Sequence, residues 1–168
     1  IGNGAACQGR EDSQASLLAR LDAWRPAVVG LPLHWHLAGH DVLRTAAFLR
    51  EQRPDVRVVL GGLTASIFAA EILEACPAVD AVVVGDGEEP FRALLDTWQA
   101  DPTADLSAVP NLVWRQDGEL RRNPLAYVAD GEQLSSLDFS PGDGLPDLRE
   151  YLNGLRLHEA VQGRPYDY

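Results

Sequence analysis

The sequence contains no methionine and no lysine, so all 14 of its basic residues are arginines, against 25 acidic residues and a net charge of −11. A phosphate-backbone partner needs a clustered basic surface, and this composition argues against one. No apolar run approaches the roughly 20 residues of a membrane-spanning helix, and no charged segment followed by an apolar stretch opens the chain. We therefore expect a cytoplasmic protein with no nucleic-acid partner and no membrane partner.

Cysteine is also scarce. Cys7 and Cys76 lie far apart and form no CxxC pair, so the sequence indicates neither a zinc site nor a redox dithiol, and we expect two reduced thiols used in packing. Motifs for a Ser-His-Asp triad, a phosphate loop or a dinucleotide fingerprint are missing as well. Arginine in place of lysine, with abundant alanine, is typical of a GC-rich bacterial genome. Because the chain begins with Ile1 and contains no Met, we expect a piece of a longer protein.

Alternation of short apolar runs with amphipathic segments is the main pattern that is present. The runs lack polar alternation, as strands buried on both faces do, and Pro or Gly closes most segments. Strands are predicted over residues 28–33, 56–60 and 80–84, and helices over residues 13–24, 41–53, 66–76 and 91–98. This βα rhythm predicts an α/β fold, a doubly wound parallel sheet of flavodoxin-like or Rossmann-like type, with helices on both faces.

The rhythm changes after Pro110. Two short strands, 112–115 and 119–122, flank Asp117-Gly118 and predict a β-hairpin appended to the core. Beyond Pro124 the sequence is irregular, with a possible helix over residues 147–155. We therefore divide the chain into an α/β domain over residues 1–106, truncated at its N-terminus, a hairpin extension over 107–130, and a linker over 131–168.

Ligands of open parallel sheets bind outside the carboxyl ends of the strands, so the loops 2–4, 33–39, 61–66 and 85–90 are candidates. Three of these loops begin with glycine. Glycine there lets the backbone approach a flat ligand closely, or it makes a tight βα turn.

Histidines and acidic residues of these loops leave further alternatives open. His34, His36 and His40 are candidate metal ligands, but His34 and Trp35 as a pocket wall, or histidines without a ligand, are favoured over a metal site. Asp86, Glu88 and Glu89 resemble paired carboxylates for acid–base work, or they complement the N-terminus of the following helix. We predict no catalytic residue and no metal ligand in this chain.

Three phrases occur in order along the chain: RPAVVGLPLHW (residues 25–35), PDVRVVLGGLTAS (54–66) and VDAVVVGDGEEPF (79–91). This series resembles the cobalamin-binding domain that precedes the catalytic domain of many radical SAM proteins. The resemblance covers roughly residues 17–98. The hairpin with Asn123-Pro124, and the later Leu137-Asp138, also fit the family.

The resemblance implies a site. In that family the corrin ring of cobalamin (vitamin B12) lies against the strand ends, and the nucleotide tail enters the sheet edge. The residues that would bind the cofactor here are Leu33, His34, Trp35, Gly61, Gly62, Leu63, Thr64, Gly85, Asp86, Gly87 and Glu88.

The resemblance also implies a function, namely the cobalamin-binding module of a cobalamin-dependent radical SAM enzyme that carries out methyl transfer or a related radical reaction. S-adenosylmethionine and a 4Fe-4S cluster would bind in a catalytic domain of the same polypeptide, expected downstream of Tyr168. The CxxxCxxC cluster motif is absent, so this chain would not be catalytic alone. The alternatives are a structural α/β module that has lost cobalamin, and a generic flavodoxin-like small-ligand or receiver domain.

Overall fold

The computed structural model describes residues 4–136, and their side chains from residue 14 onward. Within these residues there are five strands and six α-helices. The strands are β1 (Val28–Pro32), β2 (Arg57–Gly61), β3 (Ala81–Val83), β4 (Leu112–Gln116) and β5 (Glu119–Arg122). The helices are α1 (Gly4–Trp24), α2 (Gly39–Gln52), α3 (Leu63–Ile67), α4 (Ala69–Ala75), α5 (Glu88–Ala100) and α6 (Gly131–Ser136).

The strands form one sheet in the order β1-β2-β3-β4-β5. β1, β2 and β3 are parallel, with Val29 opposite Val58 and Leu60 opposite Val82. The α/β fold class is therefore confirmed. The hairpin is also found, but it is not an appendage: β4 pairs antiparallel with β3, so the sheet is mixed. β3 is buried along its whole length, and its second edge needs the backbone partner that β4 supplies.

Successive side chains along each strand point to opposite faces of the sheet, and each face packs into a hydrophobic core. On one face Val58 and Leu60 pack with helices α1 to α4, which contribute Leu21, Leu49 and Leu73 among others. On the other face Val59 packs with α5 through Leu94 and Trp98. The sheet thus has helices on both faces, as predicted.

Several element boundaries differ from the predicted ones. The helix predicted over 66–76 is two helices, because the chain turns at Phe68 (φ −110°, ψ 30°), whose amide bonds to the carbonyl of Thr64. α1 begins at Gly4, which places that residue in a helix instead of the predicted loop 2–4. α5 begins at Glu88, three residues before the predicted start. The helix predicted over 147–155 lies outside the described residues.

The hairpin turn follows from its sequence. Asp117 (φ 53°) and Gly118 (φ 84°) both have positive φ, as a two-residue type I′ turn requires. After β5, Asn123 is buried: its amide donates to the carbonyls of Leu106 (2.6 Å) and Val109 (2.7 Å) and accepts from the indole of Trp114 (3.2 Å). This network anchors the return of the chain from the hairpin.

Of the described residues, those from Gly4 to Ala129 form one compact unit, and those from Asp130 to Ser136 belong to a second. In the second unit α6 begins with a reciprocal cap, because Gln133 N–H donates to Asp130 Oδ1 and Asp130 N–H donates to Gln133 Oε1. Among the helices in the described part of the chain, none combines the length and the apolar character needed to cross a membrane.

Candidate functional site

A pocket of about 530 Å³ opens where the three parallel strands end. This volume lies within the roughly 300–1,000 Å³ of typical small-molecule sites. The base of the pocket is apolar, formed by Gly30, Val59 and Val83 of the strands and by Phe91 of α5. The loops after β1, β2 and β3 surround its mouth. The parallel topology therefore brings the three predicted loops to one edge of the sheet.

Seven of the eleven predicted site residues line this pocket, namely His34, Gly61, Gly62, Gly85, Asp86, Gly87 and Glu88. Trp35 and Leu63 lie beside it, on a second groove that they share with His34 and Pro32. Both side chains are exposed, 74% for Trp35 and 63% for Leu63. Nine predicted residues are thus gathered at one surface of the molecule.

The remaining two predicted residues, Leu33 and Thr64, hold the loops in shape. The Leu33 side chain is only 2% exposed and belongs to the core. Its amide donates to the carbonyl of Gly61 (2.8 Å), and its carbonyl accepts from the amide of Ala65 (3.1 Å). The Thr64 hydroxyl donates to the carbonyl of His34 (2.8 Å). Through these bonds the first two loops lie against each other.

Gly62 is the tightest point of this contact. Its φ of +102° is a conformation that residues with a side chain rarely adopt. A Cβ atom at Gly62 would lie 2.9 Å from the carbonyl oxygen of Leu33 and 3.1 Å from Nδ1 of His34. The missing side chain of Gly62 therefore lets the first two loops of the site pack together, whereas the predicted approach of this backbone to a ligand stays a prediction.

Ser66 links the second loop to the third. Sequence reasoning placed it at the end of the candidate loop 61–66 and at the start of a helix, but did not predict this link. Its hydroxyl donates to the carbonyl of Gly62 (2.8 Å) and accepts from the amide of Gly85 (2.9 Å). A serine in the first turns of a helix that follows a strand gives no pattern that would separate this role from ordinary capping.

The apolar floor of the pocket was also missed. The residues missed are Gly30, Val59, Val83 and Phe91. A Cβ atom at Gly30 would lie 3.8 Å from Cζ of Phe91, so the missing side chain leaves the space that the pocket occupies. The signal was available: residues two apart on a strand share a face, so a glycine inside a strand marks a gap on that face.

The acidic residues divide into two groups. Glu88 and Glu89 lie in the first turn of α5, where negative charge complements the exposed amides. Glu89 also pairs with Arg92, and the hydrogen bond from that guanidinium lowers the pKa of the Glu89 carboxyl. Asp86 lies before the helix, and its carboxylate accepts a hydrogen bond from the amide of Ala129 (3.0 Å).

The loop histidines are spread over different elements. His34 lines the pocket, His36 begins a short 3₁₀ turn, and His40 lies in α2. Among the described residues, no three His, Cys, Asp or Glu side chains are grouped closely enough to hold a metal ion.

Comparison with known proteins is consistent with this geometry. Residues 6–95, more than half of the chain, match the family described as the B12 binding domain. The chain therefore belongs to the B12-binding domain family. This finding confirms the resemblance drawn from the three sequence phrases.

Two curated relatives are methyl-transfer proteins by name. The chain is 27% identical over 140 residues to the uncharacterized methyltransferase PH0819 of Pyrococcus horikoshii, a match that covers 79% of this chain and 29% of that protein. It is 32% identical over 87 residues to the hopanoid C-3 methylase of Methylococcus capsulatus, which covers 51% of this chain and 17% of that protein. The chain thus spans less than a third of the length of these relatives.

Solved structures share the fold. The radical S-adenosylmethionine methyltransferase TsrM from Kitasatospora setae, solved with cobalamin and a 4Fe-4S cluster bound, aligns with a TM-score of 0.60 at 19% identity, over 74% of this chain and 23% of that one. The cobalamin-dependent S-adenosylmethionine radical enzyme OxsB, with aqua-cobalamin bound, aligns with a TM-score of 0.54 at 17% identity, over 68% of this chain and 16% of that one.

Proposed function

We propose that this chain is the cobalamin-binding module of a cobalamin-dependent radical SAM enzyme that transfers a methyl group. The observation that carries the proposal is the pocket at the carboxyl edge of the parallel strands, open at Gly30 and bordered by the glycines of two loops. Membership of the B12-binding domain family and the similarity to proteins named as methyltransferase and methylase support it.

The residues present fit such a cofactor. The floor at Gly30, Val59 and Phe91 is apolar and would hold the flat base of the nucleotide tail. The loops at Gly61-Gly62 and Gly85–Gly87 expose backbone without bulky side chains, and they would receive the corrin ring. When bound, cobalamin supplies a cobalt centre that carries a transferable methyl group.

Trp35 and Leu63 add an exposed apolar surface beside the same pocket. Apolar side chains of this size cover the faces of large flat ligands or pack against a protein partner. The partner we propose is a radical SAM domain of the same polypeptide, which would hold S-adenosylmethionine and the 4Fe-4S cluster. The greater length of the relatives supports a multidomain protein.

A test uses the intact protein incubated with hydroxocobalamin, desalted, and examined by visible absorption. We expect the wild type to retain the corrinoid spectrum. Gly30→Val places a β-branched side chain, which suits a strand, in the pocket in front of Phe91, and we expect at least about tenfold weaker retention, the effect of about 1.4 kcal/mol.

Gly39→Ala is the control, because a Cβ atom there meets no other atom within 4 Å and Gly39 does not line the pocket. This variant should retain cobalamin as the wild type does. Equal retention by Gly30→Val would contradict the assigned pocket. No retention by the wild type would favour the structural module that has lost its cofactor.

A further inference from the structure

Residues 124–129, which we call the strap, run from the hairpin to the mouth of the pocket without forming a helix or a strand. The strap is nevertheless held by specific hydrogen bonds. Their partners are two residues on the site side of the fold, Asn111 and Asp86. Sequence patterns identified this segment only as irregular chain.

Asn111 joins the strap to the end of β3. Its side chain is 2% exposed, and its amide pairs with the backbone of Tyr127 in both directions, donating to the carbonyl (2.8 Å) and accepting from the N–H (3.0 Å). Its own backbone accepts from the amide of Val84 (2.8 Å) and donates to the carbonyl of Pro124 (2.9 Å). The buried Asn111 thus bonds to Val84, the residue before the loop 85–88, and to Pro124 and Tyr127 of the strap.

Asp86 supplies the second attachment, from inside the site loop itself. Its carboxylate accepts from the amide of Ala129, two residues beyond Tyr127. Val84 is therefore joined to the strap through Asn111, and Asp86 is joined to it directly. Gly85 lies between these two residues, with φ +75°. A carboxylate committed to a backbone amide is a charge-assisted hydrogen bond that fixes the loop backbone.

We infer that the strap fixes the shape of the loop 85–88, and that Asp86 is a positioning residue for the pocket, acting through Ala129, and not a ligand of the cofactor. This inference rests on the proposed function only in naming cobalamin as the occupant of the pocket. Coupling of this kind is reciprocal, so a ligand that orders the loop also orders the strap.

The first test needs no cofactor. Amide hydrogen exchange is measured by mass spectrometry on peptides that cover residues 84–88 and 124–130, in the wild type, Asp86→Ala and Asp86→Asn. We expect Asp86→Ala to speed exchange in both peptides by about fivefold, the effect of losing one hydrogen bond, while Asp86→Asn keeps an acceptor oxygen and most of the protection.

Asp96→Ala is the control, since Asp96 is an exposed aspartate of α5 whose carboxylate accepts a hydrogen bond from Arg92. It should leave both peptides unchanged. Unchanged exchange of both peptides in Asp86→Ala would overturn the inference.

The second test adds hydroxocobalamin to the intact protein. We expect the cofactor to slow exchange in the strap peptide of the wild type, and we expect Asp86→Ala to weaken cobalamin affinity about three- to tenfold with recovery in Asp86→Asn. An equal loss of affinity in Asp86→Asn, with the exchange protection of both peptides retained, would show that the charge acts on the cofactor directly, and the positioning role would be wrong. If the wild type retains no cobalamin, the proposed function fails, whereas the exchange test still decides whether the strap fixes the loop.

Discussion

Replacing Gly62 by alanine is the sharpest test of how the first two loops of the site meet. The backbone of Gly62 has φ +102° and ψ 174°, a region that is essentially restricted to glycine. Holding alanine there costs about 1–3 kcal/mol in backbone strain. The added Cβ atom would also lie 2.9 Å from the carbonyl oxygen of Leu33, which already accepts the amide of Ala65.

Relief of that contact requires backbone to move, because the nearest atoms are main-chain atoms and not the end of a flexible side chain. Overpacking of this kind adds about 1 kcal/mol or more. We therefore expect Gly62→Ala to lower the free energy of unfolding by about 2–4 kcal/mol. Urea unfolding followed by far-UV circular dichroism measures this difference.

The matched control is Gly39→Ala. Gly39 begins α2 with φ −54°, and a Cβ atom there has no neighbour within 4 Å, so alanine should stabilise the protein by about 0.5–1 kcal/mol. Gly62→Ala within about 0.5 kcal/mol of the wild type would refute the geometry of the loop contact. Because Gly62→Ala is expected to destabilise the fold, the cobalamin-retention test fills the pocket at Gly30 and not at Gly62.

Two further substitutions test the core. Leu60→Ala removes a fully buried side chain of β2 and should cost about 3 kcal/mol in the same urea assay; a loss under about 1 kcal/mol would mean that this face of the sheet is not packed as described. Asn123→Ala should cost about 2–3 kcal/mol, because the buried carbonyl of Val109 loses its side-chain donor and the carbonyl of Leu106 keeps only the amide of Val109; near-wild-type stability would show that water or another group replaces the lost amide.

The sequence was sufficient for the repeating part of the fold. Strands buried on both faces have apolar runs without polar alternation. The observed strands β1 to β3 lie within the predicted ranges 28–33, 56–60 and 80–84, except for the last residue of β2. Asp117-Gly118 predicted the hairpin because few residues tolerate positive φ at both turn positions. These features depend on local chemistry, which the sequence displays directly.

Features that depend on long-range contacts were not predicted. No glycine or proline marks the break at Phe68, and the pairing of β4 with β3 follows from the open edge of β3, not from the hairpin sequence. The strap has no periodicity because its partners are the side chains of Asn111 and Asp86. Gly30 was interpreted only as a strand residue, although its missing side chain opens the pocket.

The order of the strands has a consequence for how the protein folds during synthesis. Within the described residues each strand pairs with the strand that follows it in the chain, so no strand is inserted between two earlier ones. The pairings therefore close comparatively short loops, which favours rapid folding for an α/β topology. As the chain leaves the ribosome, each βα unit finds its partner already present, and the sheet can grow in one direction from β1 to β5.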